Sequence, residues 1–262
     1  MSNLTFLAYT FLDFFPSYTE QYDEGWNETF GNPLLDPTGT VGVTHVAFTV
    51  FLVLLLVVMA LIARRKYTDR ESALVPDGKL TVASFFEVTF DAILGMMSEM
   101  MGEKAAKKFF PLIAGLAVFI FFGNVIGLVP GLYHPTSNLN TGLACAIVVF
   151  FVYNVSGFFE HGIAYTKQFL GPLAWLAPLM LVIELVSHAF RPISLSVRLT
   201  GNMTGDGVLL VIFGDLAEMM VNAPLLLPIP FLFLGLLVSI IQALIFAVLS
   251  TAYIALAIED HH

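Results

Sequence analysis

The chain has 262 residues and a composition unlike that of a soluble domain. Hydrophobic residues make up 58% of it and charged residues only 12%, whereas about 25% of the residues of a typical soluble domain are charged. A single core of this size cannot hide that much apolar surface from water, so we expect a lipid environment. A net charge of −9 and a single cysteine exclude a nucleic-acid-binding surface, a disulfide framework and a cysteine-based metal site.

The first 42 residues differ from the rest of the chain. They contain six acidic residues and no lysine or arginine. A cleavable signal peptide begins with a basic region, so this segment does not match one. We expect residues 1–42 to form an N-terminal segment on the outer side of a membrane, and residues 43–262 to form a membrane domain.

Five apolar stretches are candidates to cross about 30 Å of hydrocarbon. They are residues 46–63, 109–129, 143–159, 173–221 and 230–258. At 1.5 Å per residue, the last two would extend about 73 and 43 Å as continuous helices, so each must be broken or strongly tilted. A proline-rich turn at 224–230 joins them, which predicts a tilted helical hairpin.

A sixth helix is expected at residues 83–102, between the first two spans. Its polar residues fall on one helical face, and phenylalanine, methionine and other apolar residues occupy the rest: Ser84, Glu87, Asp91, Ser98 and Gly102 form the polar side. This pattern is typical of an amphipathic helix at the cytoplasmic interface, and a re-entrant or fully inserted helix is the alternative. The predicted fold is an all-α polytopic membrane protein with five membrane helices and one interfacial helix.

The basic residues predict the orientation in the membrane. Of the eleven, eight lie between the first two spans and Lys167 follows the third. The positive-inside rule places both loops in the cytoplasm, which puts the N-terminus and the 130–142 loop outside and the C-terminus inside. The other two, Arg191 and Arg198, lie within the fourth apolar tract, where a cation requires an explanation.

Polar residues in the 173–221 tract recur on one side of a helix. At 100° per residue they fall within an arc of about 120°: Glu184, His188, Arg191, Ser194, Arg198, Asn202 and Asp206. We call these seven residues the polar stripe. Ionisable residues at this depth are costly and normally mark an ion path or a paired structural site. A structural salt bridge between Glu184 and Arg191 would explain two of them, and a water-accessible ion path explains the whole stripe better.

Arg198 is the most informative residue of the polar stripe. Its guanidinium stays protonated at any biological pH, so it cannot relay a proton by losing one. It can attract a passing carboxylate and favour the ionised form of that group. The chain offers only poor candidates for a moving carboxylate, so we expect one on another subunit.

Several stretches of the sequence resemble subunit a of F-type ATP synthase. The most specific is RPISLSVRLTGNM at 191–203. The others are FFGNVIGLVPG (121–131), PTSNLNT (135–141), ELVSHAFRP (184–192) and IIQALIFAVLSTAYI (240–254). They follow the family's order along the membrane domain. The resemblance implies a stator subunit whose two long tilted helices form a hairpin against a ring of c subunits.

The resemblance also implies residue roles around the c ring. Arg198 would be the family's essential arginine, opposite the ion-carrying carboxylate of each c subunit. Gln242 and Asn202 would match polar positions near it. In the implied mechanism a c-ring carboxylate takes an ion, expected to be a proton, from an outer half-channel, rotates through lipid in neutral form and releases it into an inner half-channel.

The two half-channels receive the remaining candidates. Glu184, Arg191 and Ser194 would match positions that line the cytoplasmic half-channel. His188, on the same polar stripe, is also a candidate ion-translocation residue. Asn124 would match a polar position of the outer half-channel.

One feature departs from the family pattern. The family usually places an ionisable pair at the positions matching Gly207 and Gly235, and both are glycine here. Their absence removes bulk where the helices are expected to approach closely. Asp206 is the first candidate for an outer proton group, although it points 100° away from the adjacent position. Asp215 and Glu218 are alternatives that could equally cap the outer loop.

The resemblance implies assembly with the c ring, with subunit b of the peripheral stalk and, indirectly, with the catalytic head. We expect a bacterial plasma membrane because no transit peptide is evident; an organelle is the alternative, since organelle-encoded versions also lack one. The sequence has no phosphate-binding loop, partnered nucleophile or metal-ligand spacing, so we expect no cofactor, no metal and no ATP chemistry in this chain. One alternative is a secondary transporter that binds an anionic substrate through an intramembrane arginine, but such folds usually contain internal repeats and none is evident. A structural subunit of a respiratory complex would not need an unpaired arginine in a polar stripe.

Overall fold

The computed structural model of the chain describes residues 44–67, 81–129, 132, 134–162, 165, 177–221 and 229–259. Throughout these residues the regular secondary structure is helical: α1 (Thr44–Tyr67), α2 (Val82–Met101), α3 (Glu103–Ile126), a 3₁₀ helix (Pro135–Ser137), α4 (Leu139–His161), α5 (Ala177–Val221) and α6 (Ile229–Ile258). The all-α prediction is confirmed. Residues 1–42 and most of the 224–230 turn lie outside the described residues.

Four helical stretches in the described ranges are long and apolar enough to cross a membrane: Glu103–Ile126, Leu139–His161, Leu179–Leu210 and Ile229–Ile258. The apolar part of α1, Phe48–Arg64, is shorter, so the first predicted span stays a prediction. The second span differs from its predicted start, because the helix begins at Glu103 rather than at residue 109. The lysines before residue 109 therefore form the first turns of α3 instead of a preceding loop.

α5 is one continuous helix of 45 residues. Pro192 lies inside it, where its ring nitrogen cannot donate a hydrogen bond to the carbonyl one turn earlier. A helix of this length extends about 68 Å, roughly twice the thickness of the hydrocarbon layer. The alternative in which this tract breaks into separate helices is therefore wrong. α6 is continuous over 30 residues.

α2 and α3 are joined by a single residue, Gly102, whose φ is 79°. Glycine adopts a positive φ without steric cost, so the chain can turn directly from one helix into the next. The start of α2 is capped reciprocally: the Ser84 N–H donates to Thr81 Oγ1 at 3.2 Å, and the Thr81 N–H donates to Ser84 Oγ at 2.8 Å. The buried side of α2 contains Phe86 and Met97, as the amphipathic pattern predicts, and its place at the membrane interface stays a prediction.

The main core lies between α2, α3, α4, α5 and α6. α4 comes close to α5 at Gly142, where an added Cβ would lie 3.1 Å from Ser196 Oγ. The Ser196 hydroxyl also donates to the Leu139 carbonyl at 3.2 Å. Small residues allow helices in a membrane to approach in this way. This contact sets the height of the polar stripe relative to α4.

Large apolar side chains also cover the outside of the bundle. Leu54, Phe151, Phe190 and Phe233 are each at least 59% exposed, and exposed apolar surface of this extent is expected where lipid is the solvent. The helices are covered unequally: in an apolar 18-residue window of each, 50% of the residues are buried in α3 but only 17% in Leu179–Leu210 of α5. Of the four membrane-length helices, α5 is the least covered by the rest of the chain.

Candidate ion-translocation site

The polar stripe lies on a single uninterrupted helix, because α5 is continuous through all seven of its residues. Their surroundings differ along the helix. His188 is buried, while Glu184 and Arg191 beside it are half-buried. Ser194, Arg198 and Asn202 are exposed, and Asp206 is half-buried again. The middle of the stripe, around Arg198, is therefore the part that the chain leaves open.

Arg198 has an exposed side chain and a fixed backbone. Within the described part of the chain, no carboxylate lies within 4.0 Å of the Arg198 guanidinium. Gln242 of α6 is only 3% exposed, and its Nε2 donates to the backbone carbonyl of Arg198 at 3.4 Å. α6 thus holds the helix at this position, and the charged group remains free to meet another molecule.

Arg191, the second intramembrane cation, has partners within the chain. Its Nη2 lies 3.7 Å from Glu184 Oε1, so the structural salt bridge considered for this pair is present. The guanidinium also lies over two aromatic rings, with centroids at 5.2 Å for Tyr253 and 6.0 Å for Tyr153. A partly exposed ion pair contributes about 0–1 kcal/mol and each cation–π contact about 0.5–1 kcal/mol. Together these contacts orient Arg191 toward α4 and α6.

His188 connects α5 to α4 through a buried hydrogen-bond network. Asn154 Nδ2 donates to the Phe150 carbonyl at 2.7 Å, which leaves Asn154 Oδ1 to accept from His188 Nε2 at 2.8 Å. This contact places the ring proton on Nε2, and the Tyr153 hydroxyl lies beside the ring, 3.2 Å from Nε2 and 3.4 Å from Nδ1. Tyr153 and Asn154 were not predicted as site residues, although a consecutive polar pair in an otherwise apolar span was a usable signal.

Asn124 lies in a separate polar pocket, at the end of α3. Its side chain is fully buried, and its Oδ1 accepts a hydrogen bond from Thr136 Oγ1 at 2.6 Å. His134 is 7% exposed, and its ring occupies the space that a Cβ on Gly127 would need. Burial lowers the pKa of His134 to about 4. We call Asn124, His134 and Thr136 the loop pocket. Only Asn124 was predicted as a site residue, although the polar PTSNLNT stretch contains Thr136.

The two glycines at the positions of the family's ionisable pair have different surroundings. Gly235 is buried, and a Cβ there would lie 2.6 Å from Leu128 Cδ2. Gly207 is half-buried, and a Cβ there would have no atom of the described residues within 4 Å. The expected close approach of helices is therefore present at Gly235 and wrong for Gly207.

Asp206 is the acidic residue of the stripe nearest to Gly207. It is half-buried, and its Oδ2 is buried without a hydrogen-bond partner in the described part of the chain. The side chains of the other two candidates, Asp215 and Glu218, lie outside the described residues.

The sequence profile of a family described as ATP synthase A chain matches residues 46–255. The chain belongs to the ATP synthase A chain family. Its relatives named ATP synthase subunit a include one from Trichlorobacter lovleyi that is 46% identical over 217 residues, which cover 83% of this chain and 88% of the relative. Those from Geobacter sulfurreducens and Citrifermentans bemidjiense are 42% and 44% identical over 235 residues, covering 89% of this chain and 96% of each relative.

These matches confirm the resemblance to subunit a of F-type ATP synthase. Membership in the ATP synthase A chain family and four membrane-length helices make this a multi-pass membrane protein of ATP synthesis and ion transport. Neither the secondary transporter nor the structural respiratory subunit accounts for a family match over most of the chain.

Proposed function

We propose that this chain is the ion-translocating stator subunit of an F-type ATP synthase, and that Arg198 is the fixed charge opposite the carboxylate of each c subunit. The observation that carries the proposal is the position of Arg198. It is exposed on the least covered membrane-length helix, and no carboxylate of the described residues is within ion-pair distance.

A cation at this position needs a counter-charge. Placing a charged side chain within a membrane costs several kcal/mol unless it meets an opposite charge or water. Arg191 satisfies this requirement with Glu184 of its own chain, and Arg198 does not. A carboxylate supplied by a neighbouring subunit would satisfy it, and a ring of such carboxylates could do so repeatedly as it turns.

The proposed cycle uses Arg198 as an electrostatic barrier and as a release site. A c-ring carboxylate is ionised while it faces the guanidinium, since the positive charge favours the anion. It takes a proton from the outer half-channel, becomes neutral and rotates through lipid until it reaches the inner half-channel. Because the arginine cannot lose its proton and repels others, protons cannot pass directly between the two half-channels.

We assign the inner half-channel to Glu184, His188, Arg191 and Ser194. The ion pair of Glu184 with Arg191 is half-buried, so water can reach it from one side. Ser194 is exposed, and its hydroxyl donates to the Arg191 carbonyl at 3.0 Å. The same contacts that give Arg191 a structural role support a polar surface leading toward Arg198.

We assign the outer half-channel to Asn124 and Asp206, with Asn202 and Gln242 positioned near Arg198. Asp206 lies two helical turns beyond Arg198 on the same side of α5. Its Oδ2 is buried and has no hydrogen-bond partner, as expected of a carboxyl group that exchanges protons with transient water. It is our candidate for the outer proton group in place of the pair absent at Gly207 and Gly235.

The proposed assembly follows from the same placement. α5 and α6 would lie tilted as a hairpin against the c ring, α1 would be a fifth membrane span, and α2 would lie at the cytoplasmic interface. Subunit b of the peripheral stalk would hold the chain against rotation. The distribution of basic residues supports an outer N-terminus and a cytoplasmic C-terminus, and the bacterial relatives support a bacterial plasma membrane.

The test is replacement of Arg198 in the intact complex reconstituted into vesicles. Arg198→Ala is expected to abolish ATP synthesis driven by an imposed proton gradient, because no fixed charge would remain to ionise the c-ring site. Arg64→Ala is the matched control, since Arg64 is exposed at the end of α1. Normal synthesis in assembled Arg198→Ala complexes would refute the proposal.

A further inference from the structure

The loop pocket contains two buried polar atoms that have no hydrogen-bond partner among the described residues. They are Asn124 Nδ2 and His134 Nδ1, on residues that are 0% and 7% exposed. Some 90% or more of buried polar groups in proteins have a partner, and ordered water fills that role where a pocket is polar. Two such atoms in one pocket indicate a place where water binds.

Asn124 and the adjacent Gly127, over which His134 lies, are on the same side of the end of α3. Asn124 and Gly127 are three residues apart on the helix, so their outward directions are adjacent. Thr136 bonds to Asn124 at one end, and the His134 ring lies over Gly127 at the other. The segment 134–136 therefore packs along the last turn of α3. Because Gly127 has no side chain, the imidazole of His134 fits beside it.

The loop pocket is close to the position where the ionisable pair is absent. Leu128 follows Gly127 in sequence, and its Cδ2 fills the space beside Gly235 of α6. An ionisable side chain at residue 235 would have to displace that leucine. The chain instead has a buried histidine at this end of α3, and histidine is the side chain that most readily gains and loses a proton near neutral pH.

We propose that His134 relays protons in the outer half-channel, with Asn124 and Thr136 holding the water through which the imidazole exchanges them. This inference rests on the proposed function, because it assigns a step within the outer half-channel. In that step the imidazole accepts a proton from water on the outer side and returns one to water on the channel side. Only N–H and O–H bonds form and break, so the step needs no other reactant.

The charges around His134 are compatible with this role. Its pKa is lowered to about 4 by burial alone. The helices packed against the 3₁₀ helix are α1, α3, α4 and α5. The part of α3 at 109–126 has no titratable residue. The part of α4 at 139–159 has only Cys145 and Tyr153, which are uncharged. α5 has Arg198 and Asp206 among its ionisable residues, and α1 contains His45, whose side chain lies outside the described residues. Water entering the pocket would relieve the burial and bring the pKa back toward 6.5.

The experiment measures passive proton conduction through the membrane sector in vesicles prepared from the whole complex. Retention of this subunit in the purified complex reports assembly. We expect His134→Gln to reduce conduction at least about tenfold, since a positioned acid–base group contributes about 100-fold or more and water replaces it only in part. In the wild type, conduction should change with pH between the lowered pKa of about 4 and the ordinary value of 6.5 for His134. His134→Gln should remove that change. His161→Gln, at the opposite end of α4, is the control and should conduct as the wild type does.

A second variant separates a relay from a packing role. Imidazole added on the outer side should restore conduction to His134→Ala, because it supplies the missing base at the vacated position. His134→Gln keeps the test available if the alanine variant does not assemble, since the amide retains polar volume. A wild-type rate and pH profile in assembled His134→Gln, or a loss in His134→Ala that imidazole does not restore, would overturn the relay.

The two proposals fail separately. If Arg198→Ala abolishes synthesis while His134→Gln conducts normally, the subunit function stands and only the role of His134 is wrong. If Arg198→Ala supports normal synthesis, the proposed function fails, and the relay fails with it.

Discussion

The contact between Gly235 and Leu128 gives a prediction about packing at the end of α3. In Gly235→Ala the new Cβ would lie 2.6 Å from Leu128 Cδ2. Ordinary carbon contacts lie at about 3.5–4.0 Å, so the leucine has to move by about 1 Å. Because the contacting atom is the end of a flexible, half-buried side chain, we expect a moderate cost rather than a failure to fold.

The size of the effect follows from two opposing contributions. Overpacking a well-packed site costs about 1–3 kcal/mol, and replacing glycine by alanine inside a helix gains about 0.5–1 kcal/mol. With a flexible leucine at the contact, Gly235→Ala should lower the free energy of unfolding by about 0.5–1 kcal/mol. Gly207→Ala has nothing within 4 Å, so it should raise that free energy by about 0.5–1 kcal/mol. The two substitutions should therefore have opposite signs.

The assay heats the intact complex in mild detergent and measures the temperature at which this subunit is lost from it. The midpoint should be higher than wild type for Gly207→Ala and lower for Gly235→Ala. In a Leu128→Ala background the penalty of Gly235→Ala should disappear, because the clashing atom is gone. Equal stabilisation by both alanines, or an unchanged penalty in that background, would refute the packing argument.

Two further predictions concern polar groups of α4 and α5. Asn154→Leu should lower the free energy of unfolding by about 1–3 kcal/mol, because the Asn154 oxygen that accepts from His188 Nε2 is removed. The same heating assay measures the change, with Phe151→Leu on the exposed side of α4 as the control. Equal midpoints for the two variants would contradict the prediction. Asp206→Asn should reduce passive proton flux through the membrane sector if its unpaired carboxyl is the outer proton group. An unchanged flux would remove Asp206 from the route.

The elements of this protein were largely predictable because each depends on a run of neighbouring residues. The apolar stretches and their polar ends placed five of the helices to within a few residues, and the amphipathic pattern placed α2. The polar stripe was predictable for the same reason, since positions on one helix follow from the helical repeat alone. The early start of α3 was missed because its first turns contain three lysines and do not continue the apolar stretch. An ion pair between Glu103 and Lys107 joins side chains one turn apart there.

The partners of the stripe were not predictable, because they come from distant parts of the chain. His188 meets Asn154 across 34 positions, and Gln242 meets the backbone of Arg198 across 44. Asn124 was expected in the outer half-channel, which stays a prediction, and its hydrogen bond to Thr136 in the adjacent loop did not follow from the sequence. No periodicity within one helix can specify which side chain of another helix faces it.

The sequence by itself determined that this chain lives in lipid, that its helices are these, and that two cations share one side of a long helix, because composition and the helical repeat are local properties. Only the tertiary structure separated those two cations. It gave Arg191 a carboxylate and two aromatic rings and left Arg198 exposed, because the packing of α4 and α6 against α5 decides which side chains find a partner.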